Sequence, residues 1–136
     1  MNKLILVEDN PADAALARIA LEPYLNQVQL RHCSDGQELL ELLRDDPPTS
    51  IAVILLDLNM PRMNGFEVLQ HCHADPELRR LPFVVFSSST SQSDVQRCYE
   101  LGANAYVAKP MDMGTYDSVM RNIVRFWIDM NRRVVV

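Results

Sequence analysis

One segment, from residue 51 to residue 57, most constrains what this chain can fold into. It reads Ile-Ala-Val-Ile-Leu-Leu and ends at Asp57. A strand that is apolar at every position must be buried on both faces, which is typical of the centre of a parallel sheet covered by helices. In such sheets, reactive and ligand-binding groups gather at the carboxyl ends of the strands. The sequence therefore predicts that Asp57 lies where a fold of this type carries its chemistry.

Short apolar runs alternate with helical patterns along the chain, which indicates βα units and a parallel sheet. We predict strands near residues 3–7, 28–33, 51–56, 83–87 and 105–108. The first predicted helix begins after Asn10, a cap that precedes Pro11, and the second runs from Gly36 to Leu43. The third and fourth helices begin at pairs of capping-box type, Asn64 with Glu67 and Ser91 with Asp94, and the fourth ends at Gly102. The fold class is therefore α/β, with a doubly wound sheet.

A fifth helix is predicted at about residues 112–132, and it is more apolar than one sheet face requires. The apolar residues at helical spacing are Tyr116, Val119, Met120, Ile123, Trp127 and Met130, with Val124, Phe126 and Ile128 beside them. They form either a wide core-facing stripe or a partner-binding face, since monomers seldom leave large contiguous apolar patches in water. We expect a homodimer through this helix, with Phe126 or Trp127 near the contact and the valines at 134–136 taking part.

Composition narrows the class of protein. The 136 residues fit one domain, 1–136, and 18 acids against 13 bases give a net charge of −5, which disfavours nucleic acid as a partner. No apolar run is long enough to span a membrane, and the first residues have too short an apolar stretch for a secretory signal. The three cysteines form no CxxC pair. We expect a cytoplasmic protein with reduced, structural thiols.

Charged and hydroxyl groups follow four of the predicted strands. Glu8 and Asp9 come after the first strand, Asp57 after the third and Lys109 after the fifth, while Ser87 closes the fourth. If strands one and three are neighbours, the three carboxylates converge, and each close pair repels by about 4 kcal/mol at an effective dielectric of 20. Mg²⁺ would neutralise them, since it binds carboxylates and commonly bridges to phosphate. With Lys109 and Ser87, such a site would stabilise the charge on a transferring phosphoryl group.

These residues resemble a response-regulator receiver domain, and the match extends over the whole chain. The matching positions are Glu8-Asp9, Asp57 with Asn59-Met60-Pro61 and Gly65, Ser87, Tyr106 and Lys109-Pro110. The resemblance implies a flavodoxin-like fold, with a five-stranded parallel sheet in the order 2-1-3-4-5 and helices on both faces. It also implies a signalling protein rather than an enzyme, apart from Mg²⁺-dependent phosphorylation of itself and its own dephosphorylation.

The resemblance also assigns roles to individual residues. In this family, the aspartate at the position of Asp57 accepts a phosphoryl group from a histidine of a sensor kinase. The roles implied here are Mg²⁺ ligands for Glu8, Asp9, Asp57 and the backbone carbonyl of Asn59, catalytic partners for Lys109 and Ser87, and switch residues for Ser87 and Tyr106.

Two further features resemble a subgroup of this family. The opening Val-Glu-Asp-Asn-Pro-Ala-Asp and the pair Phe126-Trp127 are similar to stand-alone regulators that serve bacterial phytochromes. That similarity implies a bacteriophytochrome as the kinase and dimerisation through the terminal helix and strand. The alternative is that this surface binds the kinase and that the free regulator is monomeric.

The turn after the fifth strand is expected to aim Lys109 at the acidic residues. We predict that Lys109 lies within ion-pair reach of Asp57 and that its bond to Pro110 is cis, because X–Pro bonds adopt the cis form at low cost in tight turns.

A second class of function is an aspartate-nucleophile phosphohydrolase, in which Asp57 would attack external substrates. Such enzymes need a second acid two residues later to protonate the leaving group, and here that position is Asn59. The chain also has no Gly-rich phosphate loop. The sequence therefore favours the receiver.

Overall fold

Five parallel strands form one sheet in the order β2-β1-β3-β4-β5. The computed structural model describes residues 2–133. The strands are β1 Asn2–Val7, β2 Val28–Cys33, β3 Ile51–Leu56, β4 Phe83–Ser87 and β5 Ala105–Ala108. All five lie within one residue of their predicted bounds, and the predicted strand order is confirmed.

Helices cover both faces of this sheet. They are α1 Pro11–Leu21, α2 Gly36–Asp45, α3 Gly65–Ala74, α4 Gln92–Glu100 and α5 Met113–Val124, and a π-helical segment, Arg125–Met130, follows α5. Buried side chains of α2, α3 and α4 pack on one face, and those of α1 and α5 pack on the other. No helix within residues 2–133 is long and apolar enough to cross a membrane.

The two-sided burial explains why β3 is apolar throughout. Val53 and Leu55 point into the core under α1 and α5, whereas Ile54 and Leu56 point into the core under α2 and α3. All six residues of β3 are buried. Since each large apolar side chain removed from water contributes about 1.5–3 kcal/mol, β3 must be apolar at even and odd positions alike.

Two of the predicted helix caps are present as expected. The side chain of Asn10 accepts hydrogen bonds from the N–H groups of Ala12 and Asp13, at 2.9 and 3.1 Å. Asn64 and Glu67 form a complete capping box, in which each side chain accepts from the other residue's N–H. Local sequence therefore determines where α1 and α3 begin.

Ser91 occupies the predicted N-cap position of α4, but the predicted side-chain cap is absent. The side chain of Ser91 accepts no backbone N–H, and its hydroxyl lies 2.8 Å from that of Ser93. Asp94 instead accepts a hydrogen bond of 2.6 Å from the hydroxyl of Ser89, in the loop before the helix. A tertiary loop contact has replaced the local cap. The helix does end before Gly102, which has a positive φ of 100°.

The last helix differs from the prediction in form. It leaves α-helical geometry after Val124, and hydrogen bonding in the segment Arg125–Met130 is of π type. Most of the predicted stripe faces the core, with Tyr116, Met120 and Ile123 buried and Trp127 packed at its edge. Phe126 and Met130 are left 46% and 67% exposed. The predicted apolar tail, 134–136, lies outside the described residues.

Candidate functional site

The acidic residues of the site meet at the carboxyl ends of the two central strands. Glu8 and Asp9 directly follow β1, and Asp57 directly follows β3. These strands are paired with Val7 opposite Leu56, and the N–H of Asp57 donates to the carbonyl of Val7 at 3.1 Å. One carboxylate oxygen from each acid lies within 4.8 Å of the others. The predicted convergence of the three carboxylates is confirmed.

Lys109 reaches the same site from the end of β5. Its Nζ lies 2.5 Å from Oε1 of Glu8, 3.2 Å from Oδ2 of Asp13 and 3.6 Å from Oδ2 of Asp57. The predicted ion-pair reach to Asp57 is confirmed.

The predicted cis bond to Pro110 is wrong, because no peptide bond within residues 2–133 is cis. The backbone already directs the lysine without it. The N–H of Lys109 donates to the carbonyl of Ser87 at 2.8 Å, which continues the pairing of β5 with β4 beyond the last strand residue. The four methylenes of the lysine then span the distance to the acids.

The side chains of Glu8 and Asp57 are buried, at 3% and 8% exposure, whereas Asp9 is exposed. The pKa of Glu8 is raised to about 7. Burial and the nearby charge of Asp57 raise it, and they outweigh the ion pair with Lys109, which lowers it. Burial lowers the pKa of Lys109, but the hydrogen bond to Glu8 and the charge of Asp57 outweigh it and leave that pKa above its ordinary value. The lysine therefore carries a full positive charge, and the surrounding carboxylates outnumber it.

The donor set fits a hard divalent cation. Three carboxylates that lie close together and carry more negative charge than Lys109 can offset are the oxygen ligands that Mg²⁺ and Mn²⁺ prefer. The residue proposed to add its backbone carbonyl, Asn59, is exposed and lies two positions after Asp57. Among residues 2–133, no other group of three or more residues of the types Asp, Glu, His and Cys lies close enough together to share one metal ion.

The two predicted switch residues both contact the loop between β4 and α4. Ser87 is fully buried, and its hydroxyl accepts a hydrogen bond of 3.2 Å from the N–H of Ser89. Tyr106 is half-buried, and its hydroxyl donates to the carbonyl of Ser89 at 2.8 Å. Ser89 therefore connects both predicted switch residues.

Sequence reasoning missed two contacts of this site. No part in the site was predicted for Asp13, yet its carboxylate pairs with Lys109. Its place in the first turn of a helix that starts at this edge of the sheet was the available signal. His32 in β2, for which no part in the site was predicted, lies with Nε2 2.8 Å from the carbonyl oxygen of Glu8. No local pattern marks that contact.

This fold and this arrangement of acids, hydroxyl and lysine are those of a signalling domain, and the chain belongs to the response regulator receiver domain family. The sequence pattern of that family matches residues 4–121. The family resemblance seen in the sequence is thereby confirmed.

Two curated relatives match almost the whole chain. The probable methanogenesis regulatory protein FilR2 of Methanothrix harundinacea is 33% identical over 132 residues, which cover 95% of this chain and 85% of that protein. The response regulator Rcp1 of Synechocystis is 32% identical over 130 residues, which cover 93% and 88%.

Solved structures show the same similarity in three dimensions. The phosphorylated cyanobacterial phytochrome response regulator RcpA superimposes with a TM-score of 0.90 at 33% identity, covering 98% of this chain and 99% of that one. The Mn²⁺-bound form of Rcp1 superimposes with a TM-score of 0.88 at 30% identity, covering 99% and 100%. The chain thus resembles phytochrome response regulators, as its sequence predicted.

Proposed function

We propose that this receiver domain accepts a phosphoryl group on Asp57 and signals through the change in protein contacts that follows. The observation that carries the proposal is the placement of Asp57 at the end of the central strand, close to the acids that follow β1 and 3.6 Å from the ammonium of Lys109. One oxygen of its carboxylate accepts a hydrogen bond of 2.8 Å from the N–H of Leu58, which orients the group.

The chemistry is a transfer between two nucleophiles. A carboxylate oxygen of Asp57 attacks the phosphorus of a phosphohistidine, the P–O bond forms and the P–N bond breaks, with the bonding pair returning to the imidazole. Charge spreads over the oxygens of the moving group, where positioned positive charge and donors lower the barrier. Lys109 offers that charge, and the hydroxyl of Ser87 would donate a hydrogen bond to one oxygen.

We assign the divalent ion to Glu8, Asp9, Asp57 and the backbone carbonyl of Asn59, and we expect it to be Mg²⁺. When bound, the ion supplies positive charge that offsets the crowded carboxylates and the phosphoryl oxygens. The Mn²⁺-bound form of Rcp1 supports a divalent ion in a relative of this chain. Self-phosphorylation from a small donor and slow self-dephosphorylation complete the activity that we propose.

The switch would run through the loop between β4 and α4. When the hydroxyl of Ser87 turns to a phosphoryl group on Asp57, it stops accepting from the N–H of Ser89. Tyr106 is bonded to the carbonyl of the same residue and would follow. The surface around α4 and β5 would then differ between the two states.

We propose a sensor histidine kinase as the phosphoryl donor, and specifically a bacteriophytochrome. The similarity to RcpA and Rcp1 supports this choice. We also propose that residues 1–136 act as a single receiver domain. The expected absence of nucleic-acid partners and the cytoplasmic location stay predictions.

A homodimer through the terminal helix is the proposed assembly. The exposed side chains of Phe126 and Met130 support it, as does the edge-to-face packing of Phe126 on Trp127, whose ring centroids lie 4.9 Å apart. A symmetric pair would use this patch on both subunits, with aromatic residues central to the contact.

Phosphoramidate, a small donor with a P–N bond, tests the central proposal. The parent should gain the mass of one phosphoryl group in the presence of Mg²⁺ and none in EDTA, and Asp57→Asn should gain none in either. A phosphohydrolase would instead turn over an aryl phosphate many times per chain. Uptake by Asp57→Asn at the parent's rate would remove Asp57 from its role.

A further inference from the structure

The loop after Asp57 is held closely at its two ends. We call residues 58–64 the β3–α3 loop. The first residue of the loop, Leu58, accepts a hydrogen bond of 2.9 Å through its carbonyl from the N–H of Gly65, the first residue of α3. A Cβ on Gly65 would lie 2.8 Å from the Cα of Leu58. Near its end, Gly36 N–H at the start of α2 donates to the carbonyl of Met63 at 3.3 Å, and a Cβ on Gly36 would lie 2.8 Å from that carbonyl oxygen. Side chains larger than hydrogen would push the loop away at both places.

Arg62 holds the middle of this loop in an unfavourable backbone conformation. Its φ is 63°, and it is the one residue other than glycine with a positive φ among residues 2–133. A Cβ makes that region unfavourable, so a contact elsewhere must compensate. The guanidinium supplies one, since its Nε donates to Oδ2 of Asp35 at 2.8 Å and its Nη2 donates to the same oxygen.

Asp35 is a fixed anchor for that contact. Its side chain is buried, and its other oxygen caps α2 by accepting from the N–H of Glu38 at 2.9 Å. The acceptor is therefore already oriented by the helix, and only the arginine has to be ordered. Charge-assisted hydrogen bonds of this kind are roughly twice as strong as neutral ones.

The segment that contains Asp35 also contacts the other half of the acidic site. The N–H of Glu8 donates to the carbonyl of Cys33 at 3.0 Å, and His32 contacts the carbonyl of Glu8. Residues 32–36 thus touch both the backbone of Glu8 and the β3–α3 loop. Asn59 lies in that loop between two buried residues, Leu58 and Met60, so its position depends on how the loop is held.

We propose that the Asp35–Arg62 ion pair positions the β3–α3 loop for divalent-metal binding. Asp35 and Arg62 are then positioning residues of the phosphoryl-acceptor site, although neither touches the three carboxylates. The inference rests on the proposed function, because it assigns the carbonyl of Asn59 to the metal.

The test uses Mn²⁺ as the probe ion and measures its dissociation constant by the EPR signal of free Mn²⁺. Arg62→Ala should raise that constant by about three- to ten-fold, at or below the lower end of the roughly 10- to 100-fold that partners of metal ligands contribute. Arg62→Lys should recover part of the loss. Arg62→Gly removes the backbone strain as well as the pair, and it should bind as weakly as Arg62→Ala. The control is Arg31→Ala, which removes another ion-paired arginine, one that contacts Asp46 instead of the loop.

A second readout needs no metal. Amide hydrogen exchange at Gly36 reports its bond to Met63, and it should accelerate in Arg62→Ala and not in Arg31→Ala. Urea unfolding separates loop positioning from a general loss of stability. Unchanged Mn²⁺ affinity in Arg62→Ala, or an equal loss in Arg31→Ala, would overturn the inference. Failure of the parent to bind Mn²⁺ would instead count against the proposed function.

Discussion

Lys109 is paired more closely with Glu8 than with Asp57. Its Nζ lies 2.5 Å from the glutamate oxygen and 3.6 Å from the aspartate oxygen. A phosphoryl group on Asp57 would bring oxygens into the space between these two groups, and the lysine could contact them without first losing a close pair with Asp57. The structure therefore leaves Asp57, the proposed phosphoacceptor, less tightly engaged by the lysine than Glu8 is.

The role of Lys109 is tested by Lys109→Met, which keeps the length of the side chain but removes its charge. We expect phosphoryl uptake from phosphoramidate to slow by about 100-fold or more, since a positioned charge or donor at a transition state contributes at that scale. Lys3→Met is the matched control. Lys3 is also ion-paired, to Asp46 at 3.0 Å, but it lies at the start of β1, whereas the acidic residues of the site follow the end of that strand. Equal rates for the two variants would exclude Lys109 from the transfer.

Because the carboxylates are crowded, we expect the replacement Asp57→Asn to change stability in opposite directions with and without metal. In EDTA, Asp57→Asn should melt at a higher temperature than the parent, because the charge of Asp57 opposes the ionisation of buried Glu8. In Mg²⁺, the parent should gain about 2.7 kcal/mol of stability at a concentration 100 times its Kd, and the variant should gain much less. Thermal unfolding in both conditions measures the difference. An equal gain from Mg²⁺ in both proteins would contradict the assigned ligands.

Asp35 should contribute stability that depends on pH. Burial raises the pKa of Asp35, but the N–H of Glu38 and the guanidinium of Arg62 outweigh it and hold that pKa below its usual range. Its contribution is therefore fully present above the unfolded pKa of about 3.9 and is lost as the pH falls through the lower folded value. Asp35→Asn should cost about 1–2 kcal/mol at pH 7, and the difference from the parent should shrink toward pH 3. Urea titrations at pH 7, 5 and 3 give the comparison, with Asp45→Asn at the exposed end of α2 as the control.

The three cysteines should be unreactive in the folded protein. Burial raises the pKa of Cys33 and Cys72 to about 12 and that of Cys98 to about 11. Since the thiolate is the reactive form, iodoacetamide at pH 8 should label none of them in native buffer and all three in urea. Mass spectrometry counts the labels. Rapid modification of any one in native buffer would show that its surroundings open readily.

The proposed dimer is tested by replacing its exposed apolar residues. Phe126→Ser and Met130→Ser together should return the protein to a mass near 15.5 kDa at concentrations where the parent is heavier. Leu25→Ser is the control, since Leu25 is 44% exposed but lies after α1. Light scattering measures the mass. A parent that stays at the monomer mass at every concentration, phosphorylated or not, would exclude the dimer.

The sequence by itself determined the strands, the caps of α1 and α3, and the edge of the sheet at which Asp57 lies. These features depend on local properties, because an apolar run such as Ile51–Leu56 must be buried on both faces and Asn10 caps a helix through N–H groups within three residues. The convergence of the acids on Asp57 follows from this pattern together with the strand order, which the family resemblance implied and the structure confirmed.

Only the tertiary structure decided which charged groups pair and how the loops are held. Glu8 and Lys109 are 101 positions apart and Asp35 and Arg62 are 27 apart, so neither pair has a local signature. The trans bond at Pro110, the side-chain partner of Asp94 and the π-helical turn after Val124 likewise depend on what lies across the fold. Local pattern specifies which face of an element is buried, whereas the distances between side chains on different elements are set by how those elements pack together.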